Sequence, residues 1–482
     1  MTINNAAKER QLMSQTPSPN DSLQALQDLP LYQAACTALT TLEEAGYEGY
    51  LVGGFVRDAL LGRPIHDADL ACNAPYDTLL ALFREKGFTA IPTGEKHGTA
   101  TVLIDDFPLE ITRYRTDGDY LDHRHPESVH FVETIEQDLA RRDFTINAMA
   151  YNPRTGVIDP FDGQSDLAQK IIRCVGSSDT RFNEDALRIL RALRFASQLG
   201  FSLESETARA VHEHAKDLLE ISAERLFKEF TSLLCGKNPY PLLMEYHDVM
   251  FQLIPELSAS WEFDQRTPYH IYTVYDHIAH CVQAIDNTPL DRWVALLHDV
   301  GKPAAWAPDE KGQGHFPGHA KISKICAREI ARRFKMPRAF AEDMALLVSR
   351  HDDVVEETPR AVKRMMRKLQ ERPDLFLHLC AMKRADTLSQ APRCAGRLEM
   401  VANLERILDE VLKENAAFSL RDLAVSGKDL VSAGYAPGPE FRVALEAALE
   451  AVINEQIKND AEAIWRFWNT EGFLAKLRKA DC

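Results

Sequence analysis

Along the first third of the chain, apolar positions come in short runs broken by turn residues. Along the rest they recur at helical spacing. From Tyr50 to about Tyr151, the segments YLVGG, DADLACN, GTATVLID and LEITRYR read as strands. Between them, YDTLLALFREKG carries a helical interval and ends on Gly87, which predicts a glycine-closed helix. From Asp185 onward the helical period dominates. EDALRILRALRFASQLG closes at Gly200, and AERLFKEFTSLLCG closes at Gly236. An interruption falls at IPELSASWEFDQRTPYH, and a histidine-rich helical block then runs from about Pro268 to Pro392. The opening MTINNAAKERQLMSQTPSPNDS is polar and predicts a disordered tail before a helix near Leu23. The pattern divides the chain into a tail (1–30), an α/β head (31–151), a helical segment (152–265), a histidine-rich helical segment (266–392) and a C-terminal helical segment (393–482).

The 482 residues allow roughly two to four domains, and a 45% hydrophobic content supplies a core. No apolar run reaches the length of a membrane span, and the first residues lack an apolar signal core. The nine cysteines are scattered without a CxxC pair, which fits reduced thiols in a cytoplasm. A net charge of −16 argues against broad nucleic-acid binding. Local basic strips qualify that argument. Arg181, Arg188, Arg191 and Arg194 form one, Arg332, Arg333, Lys335 and Arg338 a second, and Lys363, Arg364, Arg367, Lys368 and Arg372 a third. Each reads equally as a solvated helix face.

Candidate chemistry begins at LVGGFVRDALLGRPIHDAD. Two aspartates one residue apart on a strand share a face, so Asp67 and Asp69 converge. Converging carboxylates repel unless a cation lies between them. Mg²⁺ suits such a pair, since it takes one or two carboxylates plus substrate phosphates. The Gly53-Gly54 turn lets backbone amides approach a phosphate, and Arg57 adds a forked cation. Together these features point to metal-assisted nucleotidyl transfer. Glu110, between Leu109 and Ile111 in FPLEITRYR, is the candidate third carboxylate.

A second constellation starts at RRDFTINAMA, read as two arginines and Asp143 ahead of an apolar helix. In RFNEDALRILRALRF, Asp185, Arg188, Arg191 and Arg194 recur at intervals of three. That interval lags the helical period, so Arg194 lies about half a turn from Asp185 and roughly 13 Å along the axis. The four reach different parts of one nucleotide rather than one small group. A carboxylate only accepts hydrogen bonds and a guanidinium only donates them. Cytosine and adenine both present an amino donor beside a ring-nitrogen acceptor, whereas uracil and guanine present the reverse. Asp185 with Arg188 would therefore accept CTP and ATP and refuse UTP and GTP. The same two residues also fit an i,i+3 salt bridge.

The stretch from Leu51 to Phe201 resembles the head and neck of bacterial class II tRNA nucleotidyltransferases, the CCA-adding enzymes. It carries LVGGxVRDxLLG, DxD, RRDFTINAMA, DPFDGQSDL and EDxxRxxRxxRF in the family's order. The resemblance implies an α+β architecture: a polymerase-β-like nucleotidyltransferase palm, then an all-helical neck, body and tail. It implies nucleotide binding by Gly54, Arg57, Arg142, Asp185, Arg188, Arg191 and Arg194, and Mg²⁺ binding by Asp67 and Asp69. It also implies a flexible loop for the final A, which RTDGDYLDHRHPESVHF would supply. His277, the His298-Asp299 pair and Asp386 resemble the H…HD…D signature of HD-type phosphohydrolases, a donor set suited to Mn²⁺, Ni²⁺ or Co²⁺. His319 and His351 are candidates for a second metal there.

The expected activity is addition and repair of the 3′-terminal CCA of tRNA from CTP and ATP, with release of pyrophosphate. The partners are then the tRNA 3′ end and the two nucleotides, with no membrane. A poly(A) polymerase or a partial CC- or A-adding enzyme is the nearest alternative. A metal-dependent phosphohydrolase with an RNA-binding N-terminal half is the alternative of another class.

Overall fold

The computed structural model describes residues 26–118, 129–413 and 418–477. The chain divides into two compact units, Met1–Asn238 with Tyr246–Leu253, and Pro239–Glu245 with Ile254–Cys482.

The first unit is built on a mixed sheet. Its strands are β1 Gly49–Val52, β2 Asp69–Cys72, β3 Thr89–Gly94, β4 Thr99–Ile104 and β5 Phe107–Arg113. A separate short ribbon pairs β6 Arg115–Asp117 with β7 Val129–Phe131, and the sheet resumes with β8 Ala150–Asn152 and β9 Gly156–Ile158. The order is β3-β4-β5-β2-β1-β8-β9. Only β2 and β5 run parallel within it. Central β1 is buried at all four positions, and β4 is buried at every second one, as an inner and a one-sided strand should be. The helix Pro30–Glu44 begins on a proline whose missing N–H costs nothing there. It approaches β1 so closely that a Cβ on Gly49 would stand 2.9 Å from Leu42 Cδ1. The helix expected near Leu23 lies outside the described residues, as do the 1–25 tail and residues 119–128 of the expected loop.

The strands β1, β2, β4 and β5 and the Tyr76–Glu85 helix fall where the alternating pattern places them, while β3 and the short strands β6 to β9 are not expected from it. The apolar helix expected after Asp143 does not form. Thr145–Asn147 makes one 3₁₀ turn, and the chain then enters β8 against β1. Phe144, Ile146, Ala148 and Met149 are all fully buried. Burial on every side, rather than on one helical stripe, sets this segment's conformation. The later part of the unit is helical. Leu187–Leu199 ends on Gly200 at φ 71°, a left-handed C-terminal position. Gly236 serves another purpose. Its φ is ordinary, but a Cβ there would collide with Ser197, whose hydroxyl donates to the Leu233 carbonyl at 2.8 Å. The helices Leu187–Leu199 and Ala223–Leu234 pack by that close approach.

The second unit is almost wholly helical. Val274–Ala284, Pro289–Leu297, His319–Arg333, Arg338–Arg350 and Pro373–Leu388 form its histidine-bearing part. Thr273 and Thr288 cap the first two by accepting from the backbone N–H groups of Asp276 and Asp291. A smaller group, Gly427–Ser432, Pro439–Ile453 and Ala461–Thr470, has its own core around Leu449, Ile464 and Trp468. Among the described residues, no helix is long and apolar enough to cross a membrane. The second and third basic strips are largely engaged in ion pairs, such as Arg333 with Glu256 at 2.7 Å and Arg372 with Asp343 at 2.7 Å.

Candidate active site

The end of β1 turns at Gly53, whose φ of 70° and ψ of −127° suit a residue without a side chain. A Cβ there would also stand 2.9 Å from Arg142 Nη1. The short helix Gly54–Leu60 follows and carries Arg57. Asp58 accepts from Arg57 Nε at 3.1 Å and from Nη2 at 2.7 Å, while Asn147 accepts from Nη1 at 2.8 Å. The guanidinium is therefore fixed before any ligand arrives.

Asp69 opens β2. Register sets it opposite Val52 of β1 and, on the other side, beside Glu110 of β5. Asp67 precedes the strand, so the alternation expected of the pair does not apply to it. The two are still close enough to interact electrostatically. Asp69 is open to the solvent of the cleft, yet the surrounding walls remove enough water to raise its pKa to about 6, with repulsion from Asp67 and then Glu110 adding to the effect. Arg142 opposes the rise. This crowding is what a bound cation would relieve, so the Asp67/Asp69 pair fits a divalent ion, whereas Glu110 is not among the residues that line the cleft.

Facing them is a set of arginines, each held by a carboxylate. Buried Asp138 binds Arg141 at 2.9 Å and Arg142 at 3.3 Å. Asp143 accepts from Arg191 Nε at 2.8 Å and from its Nη2 at 2.6 Å. Burial alone would raise the Asp143 pKa, but Arg191 and Arg188 hold it well below the usual carboxylate range. Arg194 stands 2.7 Å from Glu229. Phe195 is the hub, with the guanidinium carbons of Arg57, Arg191 and Arg194 at 5.0, 5.5 and 4.1 Å from its ring centre.

Asp185 and Arg188 do not pair with each other as an i,i+3 bridge. The helix breaks between Ser178–Glu184 and Leu187–Leu199, and Asp185 sits in the break with extended backbone angles. Its Oδ1 accepts from the Leu187 N–H at 3.0 Å, and its Oδ2 accepts from Arg225 Nη2 at 2.7 Å. Arg188 pairs with Glu184 at 2.5 Å and donates to the Arg141 carbonyl at 3.2 Å. Gly53, Gly54, Arg57, Asp67, Asp69, Arg142, Asp185, Arg188, Arg191 and Arg194 nevertheless line one cleft of about 570 Å³. Arg141, Asp143, Asn147, Phe195 and Arg225 also line it. Sequence reasoning gave these no ligand-binding role. Phe195 closes the arginine motif and Arg141 doubles Arg142, so both carried a local signal. Arg225 carried none.

In the second unit the histidines meet. His277 Nε2 lies 3.1 Å from Asp386 Oδ1, and His298 Nε2 lies 3.1 Å from Asp299 Oδ2. His319 and His351 approach the other oxygen, Asp299 Oδ1, at 3.3 and 3.5 Å. Asp299 therefore stands between two donor sets, one of His277, Cys281, His298 and Asp386 and one of Asp299, His319 and His351. Each imidazole has its Nδ1 on a backbone carbonyl, of Ser389, Ala295, Phe316 and Val348, at 2.8–3.1 Å. That arrangement turns every Nε2 inward and fixes its tautomer for ligation. The Lys302 ammonium lies 2.6 Å from Asp299. A cavity of about 280 Å³, lined in part by His270, Lys302, His319 and Arg397, opens onto the cluster.

Comparison with known proteins agrees with the geometry. The family model for the poly(A) polymerase head domain matches residues 49–173, that for the RNA- and SrmB-binding site of polymerase A matches 200–260, and that for tRNA nucleotidyltransferase domain 2 matches 319–468. A CCA-adding enzyme of Geobacillus thermodenitrificans is 34% identical over 444 residues, covering 90% of this chain and 96% of the relative. One from Streptococcus thermophilus is 32% identical, with 90% and 96% covered. Among solved structures, the Bacillus stearothermophilus CCA-adding enzyme in complex with CTP superposes with a TM-score of 0.70 at 28% identity, covering 93% of this chain and 99% of that one.

Proposed function

The chain belongs to the CCA-adding enzymes, and we propose from that premise that its N-terminal cleft extends the 3′ end of tRNA with CTP, CTP and then ATP. The observation that carries this reading is the joint lining of one cleft by the glycine turn, the Asp67/Asp69 pair and the arginine set. Arg57 and the Gly53-Gly54 turn hold the triphosphate. Asp67 and Asp69, with Glu110 as the third carboxylate, hold Mg²⁺, which when bound neutralises charge on the phosphates and the attacking oxygen. The tRNA 3′-hydroxyl gives up its proton to solvent, its oxygen forms a bond to the α-phosphorus, the bond from α-phosphorus to the bridging oxygen breaks, and pyrophosphate leaves. Asp185 accepts the base amino group and Arg188 serves the ring nitrogen. Arg142, Arg191 and Arg194 bind further along the nucleotide. The head is assigned to residues 31–151 and the neck and body to 152–265, in a cytoplasmic protein whose described cysteines are all free thiols. The test is incubation of tRNA lacking CCA with each labelled nucleotide. Uptake of C, C and A in that order supports the reading, and A-only or unlimited A addition refutes it.

A second activity is favoured by the inward-facing imidazoles. Residues 266–392 form an HD-type domain in which His277, His298, Asp299 and Asp386 bind one transition metal and Asp299, His319 and His351 a second. Mn²⁺, Ni²⁺ or Co²⁺ suits these donors. Such a centre, once loaded, would supply Lewis-acid activation of water for phosphoester hydrolysis. Hydrolysis of phosphate monoesters and 2′,3′-cyclic phosphodiesters across a metal panel tests it.

A further inference from the structure

We propose that Arg225 reads N7 of adenine, and so distinguishes the final nucleotide from the two before it. The inference rests on the reading of Asp185 and Arg188 as the base-recognising pair. Arg225 projects from the helix Ala223–Leu234 and lines the cleft. One arm of its fork, Nη2, donates to Asp185 Oδ2 at 2.7 Å. The other arm, Nη1, is buried and has no hydrogen-bond partner among the described residues. A buried donor without a partner is costly to keep, and ligand sites are where such groups persist. The Asp185 carboxylate cannot swing away from Arg225 freely, because its Oδ1 also accepts from the Leu187 N–H.

The two bases differ at the place this donor can serve. In both, an amino group is flanked on one side by a ring-nitrogen acceptor, N3 of cytosine or N1 of adenine, and Asp185 and Arg188 treat these alike. On the other flank cytosine presents a carbon, C5–H, whereas adenine presents N7, an acceptor. A guanidinium bonded to the carboxylate that takes the amino group lies on that second flank. Its free arm finds a partner in ATP and none in CTP. Arg225 thus adds one charge-assisted hydrogen bond only at the A step.

The test compares ATP with 7-deaza-ATP, in which N7 is replaced by C–H, on tRNA ending in CC. The wild-type enzyme should show a KM for 7-deaza-ATP about tenfold above that for ATP, the effect of one lost charge-assisted hydrogen bond. Arg225→Lys, which keeps a cation beside Asp185 but loses the fork, should bring that ratio to about one. Arg225→Gln serves the same purpose if the lysine variant fails to fold. Equal use of the two nucleotides by wild type overturns the proposal without any variant. Retention of the full ratio by the folded Arg225 variant overturns it as well. UTP and GTP incorporation by Arg188→Ala is measured alongside. Unchanged rejection of those bases there refutes the base-recognising pair, a result distinct from the loss of the N7 effect.

Discussion

Asp69 and Glu110 lie side by side on the parallel rung between β2 and β5, and Asp67 adds a third negative charge beside them. The Asp69 pKa of about 6 lies above the unfolded value of about 3.9. Between those values the folded protein holds a proton that the unfolded chain has released. Without metal, stability therefore rises as pH falls through that window and is lower at neutral pH. Asp69→Asn should make the metal-free fold more stable at pH 8, by about 1 kcal/mol once solvent screening is allowed for, by about half of that at pH 5, and should leave stability almost unchanged only near pH 3, below the unfolded carboxylate value. Urea denaturation at the three pH values checks this.

If the proposed metal role holds, Asp67 and Asp69 should be indispensable for turnover. Asp67→Ala and Asp69→Ala should each abolish nucleotide addition while leaving tRNA affinity within about threefold, since neither is a cation that neutralises RNA phosphates. Gel shift and primer extension on one preparation measure both. Near-wild-type turnover in Mg²⁺ by either variant would remove the metal assignment.

Asp143 and Arg191 form a buried pair in which the carboxylate also accepts from the Phe144 N–H and from the Asn147 side chain. Asp143→Ala leaves Arg191 without its principal partner and should cost about 3 kcal/mol at pH 7. Because the folded pKa of Asp143 is depressed, its contribution is fully present above the unfolded carboxylate value. It is lost progressively as pH falls from about 4 toward the folded value. The stability gap between wild type and Asp143→Ala should accordingly shrink at pH 3. An equal gap at both pH values would contradict the pairing as the source of stability.

The head was legible because its strands are short, apolar and separated by glycines, and because β2 and β5 carry acids at isolated positions between apolar neighbours. Asp143 shows where legibility ended. Its segment looked like a capped helix, but the sheet captured it, since Ala150 pairs with Val52 of β1. Asp185 and Arg188 looked like one helical step. A local count could not reveal that Leu187 would start a new helix there, with Asp185 as the carboxylate receiving its N–H. Arg225 was silent because its partner is 40 residues away, and spacing arguments reach only a turn or two. The histidine cluster was half legible. HDxGK marked His298 and Asp299, but only the fold shows which oxygen of Asp299 faces which histidines.

Base choice should depend on Asp185 and Arg188 more than rate does. Asp185→Ala removes the proposed acceptor for the amino group, so UTP and GTP should be disfavoured less relative to CTP and ATP. Discrimination should fall by about tenfold or more, the effect of one buried hydrogen bond. Competition between labelled nucleotides in one reaction reads this ratio directly. An unchanged ratio with a slower rate would make Asp185 only a support for the Leu187 helix start.

Asp299 offers the sharpest test of the second unit. Its Oδ2 faces His277 and His298 at 3.5 and 3.1 Å, and its Oδ1 faces His319 and His351 at 3.3 and 3.5 Å. If each oxygen belongs to a different ion, the side chains should differ in how many ions their loss removes. The two donor sets predict two bound ions in wild type. His351→Ala removes a donor from one set only, so one ion should remain. Asp299→Ala removes the shared carboxylate, so both should go. Equilibrium dialysis against Mn²⁺ or Co²⁺, followed by metal analysis, counts them without any assay of hydrolysis. His298→Ala combined with Asp299→Ala should meanwhile retain CCA addition in Mg²⁺, because the carboxylates and arginines assigned to that reaction belong to the first unit. A folded double variant unable to add CCA would show that the two chemistries are coupled. Loss of one ion rather than two from Asp299→Ala would show that the carboxylate does not bridge.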